Sequence, residues 1–345
     1  VGTRIRERKC TEMQSIGIPE EDAYAVLFPA FEDLKAPRWL GTAIEQGTRF
    51  LLLAESRLEY LNREMTHARR TRESVSTFSA FTSELRKLSR DSLVLAVDQE
   101  PWGIRRLHDL VPNYEDPSNL EAFEESVCHV ASTASSLGID LFLSPVLDKL
   151  RGENPWLESR SLNREIEDIT TLGAAYIRLT QKNGVLTAAK HFPGFPELTT
   201  DPALEDTSVR SGDWDLELLI PFKAAIESGA RIIMLGPAVV ADVDGFQPAS
   251  TSARTVAVLR NKLHFRGVIM SDILDSPATS RGRSIPATAI DAIGAGVNLL
   301  LVPGGDQLAE IVDAISKTAR ADSAFRSLLF HSARKVKGLA DSSRH

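Results

Sequence analysis

Eight short runs of apolar residues, at 23–28, 50–53, 92–98, 140–146, 185–190, 231–235, 267–272 and 297–302, punctuate the chain. Within each run, apolar side chains follow one another without polar alternation, as in strands covered on both faces, the environment of a parallel sheet. Helix-patterned stretches lie between them, among them 120–137, 164–181, 216–227 and 287–295. Gly138, Gly184, Gly229 and Gly296 stand where such helices need a left-handed terminal residue. Repeated strand–helix units without hairpin signals indicate an α/β fold, and eight of them indicate a closed (β/α)8 TIM barrel. An open doubly wound sheet is the alternative, but its G-x-G-x-x-G phosphate signature is absent. The 345 residues contain no low-complexity linker. The expected organisation is therefore an N-terminal helical arm over 1–22 and one barrel domain over 23–345. The segment 54–90 reads as helix with a polar break, its basic ARRTR patch a solvated face.

In a barrel of this kind, reactive groups project from the C-terminal ends of the strands. AVDQE places Asp98 and Glu100 at the third strand end, and SPVLD places Asp148 after the fourth. AAKHFPG places Lys190 and His191 at the fifth, and MSD places Asp272 at the seventh. Each group could instead cap a loop or join an ion pair. Together, acids and cations around one mouth suit a neutral polyhydroxyl ligand, whose hydroxyls need fixed donors and acceptors.

The stretches AVDQE, NPWLESRS, KHFPG at 190–194 and GVIMSD at 267–272 resemble glycoside hydrolase family 3. The similarity is greatest to single-domain bacterial β-N-acetylglucosaminidases that act on cell-wall fragments, and LGPAVVADVDGFQPASTS resembles the family's segment after strand six. The resemblance implies a (β/α)8 barrel and a retaining mechanism through a covalent glycosyl-enzyme. It implies that Asp272 is the nucleophile and that Asp98, Arg106, Arg160, Lys190 and His191 hold the sugar. Arg106 has the alternative of simply pairing with Asp98, and His191 that of a hydrogen-bonded core residue.

The departures from the family pattern bear on the reaction. The family's cell-wall enzymes carry an Asp–His pair in the loop after KHFPG, which protonates the leaving group and later activates water. Here that loop reads FPELTTDPALED: Asp201 occupies the Asp position, but Ala203 occupies the His position. Phe195, Pro196 and Pro202 replace the loop's usual flexibility with stiffness, which suits a fixed lid. Pro101 and Trp102 replace a Gly pair after strand three, where the Trp ring would either stack on a ligand or form a wall. Leu162 and Asn163 depart from the family's RSFG, and Gly236 stands where a His is usual. Three readings follow. A glycosidase would use a carboxylic acid of the same loop, Glu197, Asp201, Glu205 or Asp206, with its pKa raised by burial. A pseudoglycosidase would use Asp272 as acid and base to rearrange an N-linked or amino sugar in an Amadori-type isomerisation. A non-catalytic protein would only bind the sugar.

Other classes find little support. The net charge of −7 gives no case for nucleic acid. No apolar run approaches the roughly 18 residues that cross a bilayer, and no signal-peptide pattern opens the chain, so no membrane partner and a cytoplasmic setting are expected. Cys10 and Cys128 cannot make a disulfide framework. No metal-site, P-loop, flavin or nicotinamide motif is present, so neither metal nor cofactor is expected. The expected partner is a small-molecule glycoside or sugar derivative, bound by a monomer or homodimer. The acid-bearing α/β sandwich of larger relatives is not expected.

Overall fold

A computed structural model describes residues 18–89, 92–163 and 165–343. Eight parallel strands form the barrel: β1 (Leu27–Phe31), β2 (Phe50–Leu53), β3 (Val94–Val97), β4 (Leu141–Phe142), β5 (Leu186–Phe192), β6 (Ile232–Leu235), β7 (Val268–Met270) and β8 (Leu300–Pro303). They pair in chain order from β1 to β7, β8 pairs back onto β1, and a bridge between Met270 and Leu299 closes the ring. The open-sheet alternative is thereby excluded.

Each strand is buried on both sides, for the reason its unbroken apolar run implies. Phe50, Leu52, Val94, Ala96, Leu141 and Leu186 fill the barrel interior. Leu51, Leu53, Leu95 and Val97, one residue out of step, meet the surrounding helices. Alternate side chains of a strand point to opposite faces, so one run feeds both cores. The four expected terminal glycines adopt φ of +86°, +86°, +89° and +96° at 138, 184, 229 and 296.

The first run is a correction. Residues 23–26 belong to a helix, Pro19–Val26, and the strand begins at Leu27. Pro19 in the first turn, followed by Glu20, Glu21 and Asp22, favours a helix start. Pro29 lacks the N–H that a strand interior normally donates, which makes the sequence look as if the strand stops early. The expected arm over 1–22 otherwise lies outside the described residues as far as residue 17.

The segment 54–90 forms three helices, Arg57–Asn62, His67–Arg72 and Val75–Lys87. Its charges are not all a solvated face. Arg69 is buried, with its guanidinium on Glu59 at 2.8 Å and Glu73 at 3.0 Å.

The loop after β5 is tied down along its length. Asn154 Nδ2 donates to the Phe195 carbonyl at 2.9 Å, the Leu198 N–H donates to the Glu153 carbonyl at 3.0 Å, and Arg57 donates to the Ala203 carbonyl at 2.7 Å. Phe195 and Leu198 join a satellite core with Trp156, Val209 and Ala238. A small sheet of Ser208–Val209, Val239–Val240 and Asp244–Pro248 joins this loop to the one after β6. The Phe195 ring lies where a side chain at Gly236 would project, so the two departures at 195 and 236 are one packing solution.

Candidate active site

At the C-terminal mouth of the barrel a cavity of about 330 Å³ is lined by Asp98, Arg160, Lys190, His191 and Asp272, with Glu55, Tyr60, Trp156, Pro202 and Ala203. The volume sits at the lower end of the range for small-molecule sites, about 300–1,000 Å³.

The ladder of β5 shifts register between Ala189 and Phe192, the stretch that carries Lys190 and His191. Such irregularities re-aim side chains next to active sites. Lys190 Nζ stands 2.6 Å from Asp98 and 2.8 Å from Glu100, and Arg160 stands 2.7 Å from Glu100. Burial works against the Glu100 charge, but Arg160 and Lys190 hold its carboxyl well below the usual range. Glu100 therefore neutralises the cations from beneath, while Asp98 shares Lys190 from the cavity side. Arg160 Nη1 is buried with no partner among the described residues.

His191 is fixed on three sides. Its Nδ1 lies 2.9 Å from Asp148 Oδ2, its backbone N–H donates to the same oxygen at 2.9 Å, and its ring lies 4.3 Å from that of Trp156. Burial, with Arg160 and Lys190 nearby, pushes its pKa well below the usual value, so the ring is neutral. Asp148 also accepts from the Phe195 N–H at 2.9 Å. It orients the KHFPG turn rather than lining the cavity.

Asp272 follows directly on β7. Its N–H donates to Ser250 Oγ at 2.8 Å, and its Oδ1 accepts from the Ile273 N–H at 2.6 Å. Burial pushes its carboxyl up to about 7, against the Ile273 bond and the fields of Lys190 and Arg160. Such a group exchanges a proton near neutral pH, as catalytic carboxyls commonly do.

Other expected site residues lie elsewhere. Arg106 is fully buried outside the cavity lining; it grips Glu73 at 2.7 Å and donates through Nε to the Ala54 carbonyl at 2.9 Å. Its carboxylate partner is thus Glu73, not Asp98. Trp102 is a wall residue, its Nε1 donating to the Leu162 carbonyl at 3.1 Å. Glu197 sits against Gly152, away from the cavity lining. Asp201 flanks the cavity rather than lining it, and its carboxylate accepts from Arg63 at 3.0 Å, from Tyr60 Oη at 3.2 Å and from the Ala203 N–H at 2.9 Å.

Sequence reasoning missed Glu55, Tyr60, Trp156 and Asp275, all in the lining. Glu55 lies two residues beyond β2, so the strand-end rule that found Asp98 would have found it too. Burial, reinforced by the neighbouring Asp98 carboxylate, pushes Glu55 up to about 8.

Burial likewise pushes Asp148 up to about 7. Glu55, Asp148 and Asp272 thus keep protons in the folded chain that they have released in the unfolded one, between about pH 4 and 7–8. The native state binds more protons across this window, so their contribution makes stability fall as pH rises through it. Urea unfolding from pH 5 to pH 8 is expected to show this decline, and Asp272→Asn is expected to flatten it.

Among the described residues, no group of three or more His, Cys, Asp or Glu side chains could hold a metal ion, and no helix is long and apolar enough to cross a membrane.

The family model of the glycosyl hydrolase family 3 N terminal domain matches residues 64–336. A beta-hexosaminidase of Stenotrophomonas maltophilia is 28% identical over 291 residues, 80% of this chain and 85% of its own. A beta-hexosaminidase of Photobacterium profundum is 30% identical over 231 residues, 65% of this chain and 69% of its own. The crystal structure of a beta-N-acetylhexosaminidase from Beutenbergia cavernae superposes with a TM-score of 0.78 at 23% identity, covering 93% of this chain and 98% of that one. A family 3 beta-N-acetylglucosaminidase from Paenibacillus gives 0.81 at 21% identity, covering 94% of this chain and 63% of that one.

Proposed function

The chain belongs to glycosyl hydrolase family 3, and we propose that it is a retaining, glycoside-processing enzyme acting on a β-linked N-acetylhexosaminide or related glycoside. The observation that carries this reading is the half-buried Asp272 carboxyl, in one cavity with Asp98, Arg160, Lys190 and His191. In its ionised form Asp272 would attack the anomeric carbon, forming a glycosyl ester as the bond to the leaving group breaks. Lys190 and the unpartnered Nη1 of Arg160 would donate to sugar hydroxyls, and Asp98 would accept from them.

Protonation of the leaving group sets the limit. Ala203, at the family's His position, lines the cavity with no titratable group. Asp201 accepts from Arg63 at 3.0 Å and from Tyr60 Oη at 3.2 Å, and it flanks the cavity rather than lining it. Without an acid at those two loop positions, hydrolysis would lose about 10²–10⁴ in rate unless another lining carboxyl such as Glu55 takes the role, and substrates whose leaving group departs unaided would be favoured. A 2-fluoro glycosyl fluoride is expected to label Asp272 with a mass gain equal to the fluorosugar, read by peptide mass spectrometry. Labelling of another residue, or of none, would overturn the nucleophile assignment.

A second reading rests on the Asp272 pKa of about 7. A carboxyl that is partly protonated near neutrality can open an N-linked aminosugar ring and move a proton from C2, an Amadori-type isomerisation. Product of unchanged mass carrying solvent deuterium at C2 distinguishes that outcome from hydrolysis, which releases the aglycone. A non-catalytic sugar binder would give neither product.

A further inference from the structure

We propose that Glu55 and Asp98 form a subsite for an ammonium group, so that the glycoside taken by this cavity carries a free amine. The proposal deepens the glycoside reading and rests on it.

The argument begins with how charge is distributed around the cavity. Glu55 lines it at the point where it continues into a second cavity, over the ends of β1 and β8, that Glu32, Lys35 and Trp39 also line. Glu55 Oε2 is buried and has no hydrogen-bond partner among the described residues. The charged groups that face Glu55 are Asp98 and Glu100 from beyond β3, Lys190 from β5 and Arg106 from the loop after β3, with Glu32 beside it at the end of β1. Neither nearby cation pairs with Glu55. Lys190 is committed to Asp98 at 2.6 Å and Glu100 at 2.8 Å, and Arg106 is committed to Glu73 at 2.7 Å.

Asp98 has Lys190 as its cation, whereas Glu55, beside it, is a carboxyl with no counter-ion of its own and holds a proton for want of one. An ammonium group brings three donors and a positive charge. Bound there, it replaces that proton: the ligand enters as R–NH₃⁺, Glu55 becomes a carboxylate, and one proton leaves to solvent. A hydroxyl or an acetamido group carries no charge and cannot drive this exchange.

The test uses the full chain and isothermal titration calorimetry at pH 7. The ligands are methyl β-D-glucopyranoside, its 2-, 3-, 4- and 6-amino-deoxy analogues, and the 2-acetamido analogue. One amino isomer is expected to bind at least tenfold more tightly than the parent sugar. It is also expected to release close to one proton, measured in buffers of different ionisation enthalpy. Glu55→Gln, which mimics the protonated side chain, is expected to abolish both the preference and the proton release. Because proton release is read on the unaltered protein, the test does not depend on the variant folding. Neutral sugars binding with no preferred amine, or a preference that survives Glu55→Gln, would overturn the subsite and leave the glycoside reading standing. No binding by any of these sugars would overturn both.

Discussion

Asp272→Asn is expected to lower kcat/KM by about 10⁴-fold or more, the scale on which loss of one member of a catalytic set is felt, while leaving the fold at least as stable as before. The two halves of this expectation have one cause. Asn matches the shape of Asp, and its carbonyl oxygen still accepts the Ile273 N–H that meets Oδ1 at 2.6 Å. The turn after β7 therefore keeps its geometry. The change removes a half-buried charge that desolvation disfavours, in line with the upward displacement of the carboxyl to about 7. Above neutral pH the variant is expected to unfold at a higher urea concentration than the parent, yet to form no covalent intermediate. Retained turnover at the parent rate would remove Asp272 from the chemistry. Lost turnover together with lost stability would make its role structural. In either the hydrolytic or the isomerising reaction the variant is expected to be inactive, and the product formed by the parent would tell them apart.

The barrel was legible in the sequence because burial on both faces leaves a simple trace. Phe50–Leu53 is a strand over the same four residues that the apolar run marks. Where an apolar run continues from a helix into a strand, that trace carries no boundary. Residues 23–26 are helical and as deeply buried as the strand that follows, so hydrophobicity alone could not separate them. The run at 140–146 forms only two ladder residues, Leu141 and Phe142, and pairs again with β5 through a single parallel bridge from Val146 to Lys190, beyond Pro145.

The site was legible where strand ends determine position. Asp98, Lys190 and Asp272 reach the cavity because each lies in or just beyond the end of a strand. Arg106 shows where that logic stops. Its eight-residue separation from Asp98 fixes the backbone, since the Arg106 N–H donates to the Asp98 carbonyl at 2.8 Å, but not the direction of a long side chain. Its guanidinium turns to Glu73, in a segment that reads as polar surface, and carries the Ala54 carbonyl with it. Glu55 follows that carbonyl in sequence. Arg106 thus helps position the end of β2 on which Glu55 stands. Neither Glu73 nor Glu55 stood out by composition, because a charged residue in a charge-rich segment gives no local sign of being buried.

Glu100→Ala tests the electrostatic floor beneath the cavity and is expected to produce the largest loss of stability among changes at the site. Glu100 is fully buried and accepts from Arg160 Nη2 at 2.7 Å, from Arg160 Nε at 3.1 Å and from the Ile104 N–H at 3.2 Å, with Lys190 Nζ at 2.8 Å. Removing it leaves Lys190 with Asp98 alone and deprives Arg160 of the carboxylate that it grips. Breaking a buried pair from one side costs about 3–5 kcal/mol, because the remaining charge loses its counter-ion without regaining water. The midpoint of urea unfolding is therefore expected to fall by an amount corresponding to that range, with the slope unchanged, since the surface exposed on unfolding is the same. Glu100→Gln keeps an acceptor for one donor and is expected to fall between the alanine variant and the parent. Sugar affinity is expected to weaken in both, because Lys190 and Arg160 lose the carboxylate that holds them at the cavity wall. A change below about 1 kcal/mol, typical of a solvent-exposed pair, would mean that water reaches these groups, and the low-dielectric site on which the Asp272 chemistry depends would then not exist.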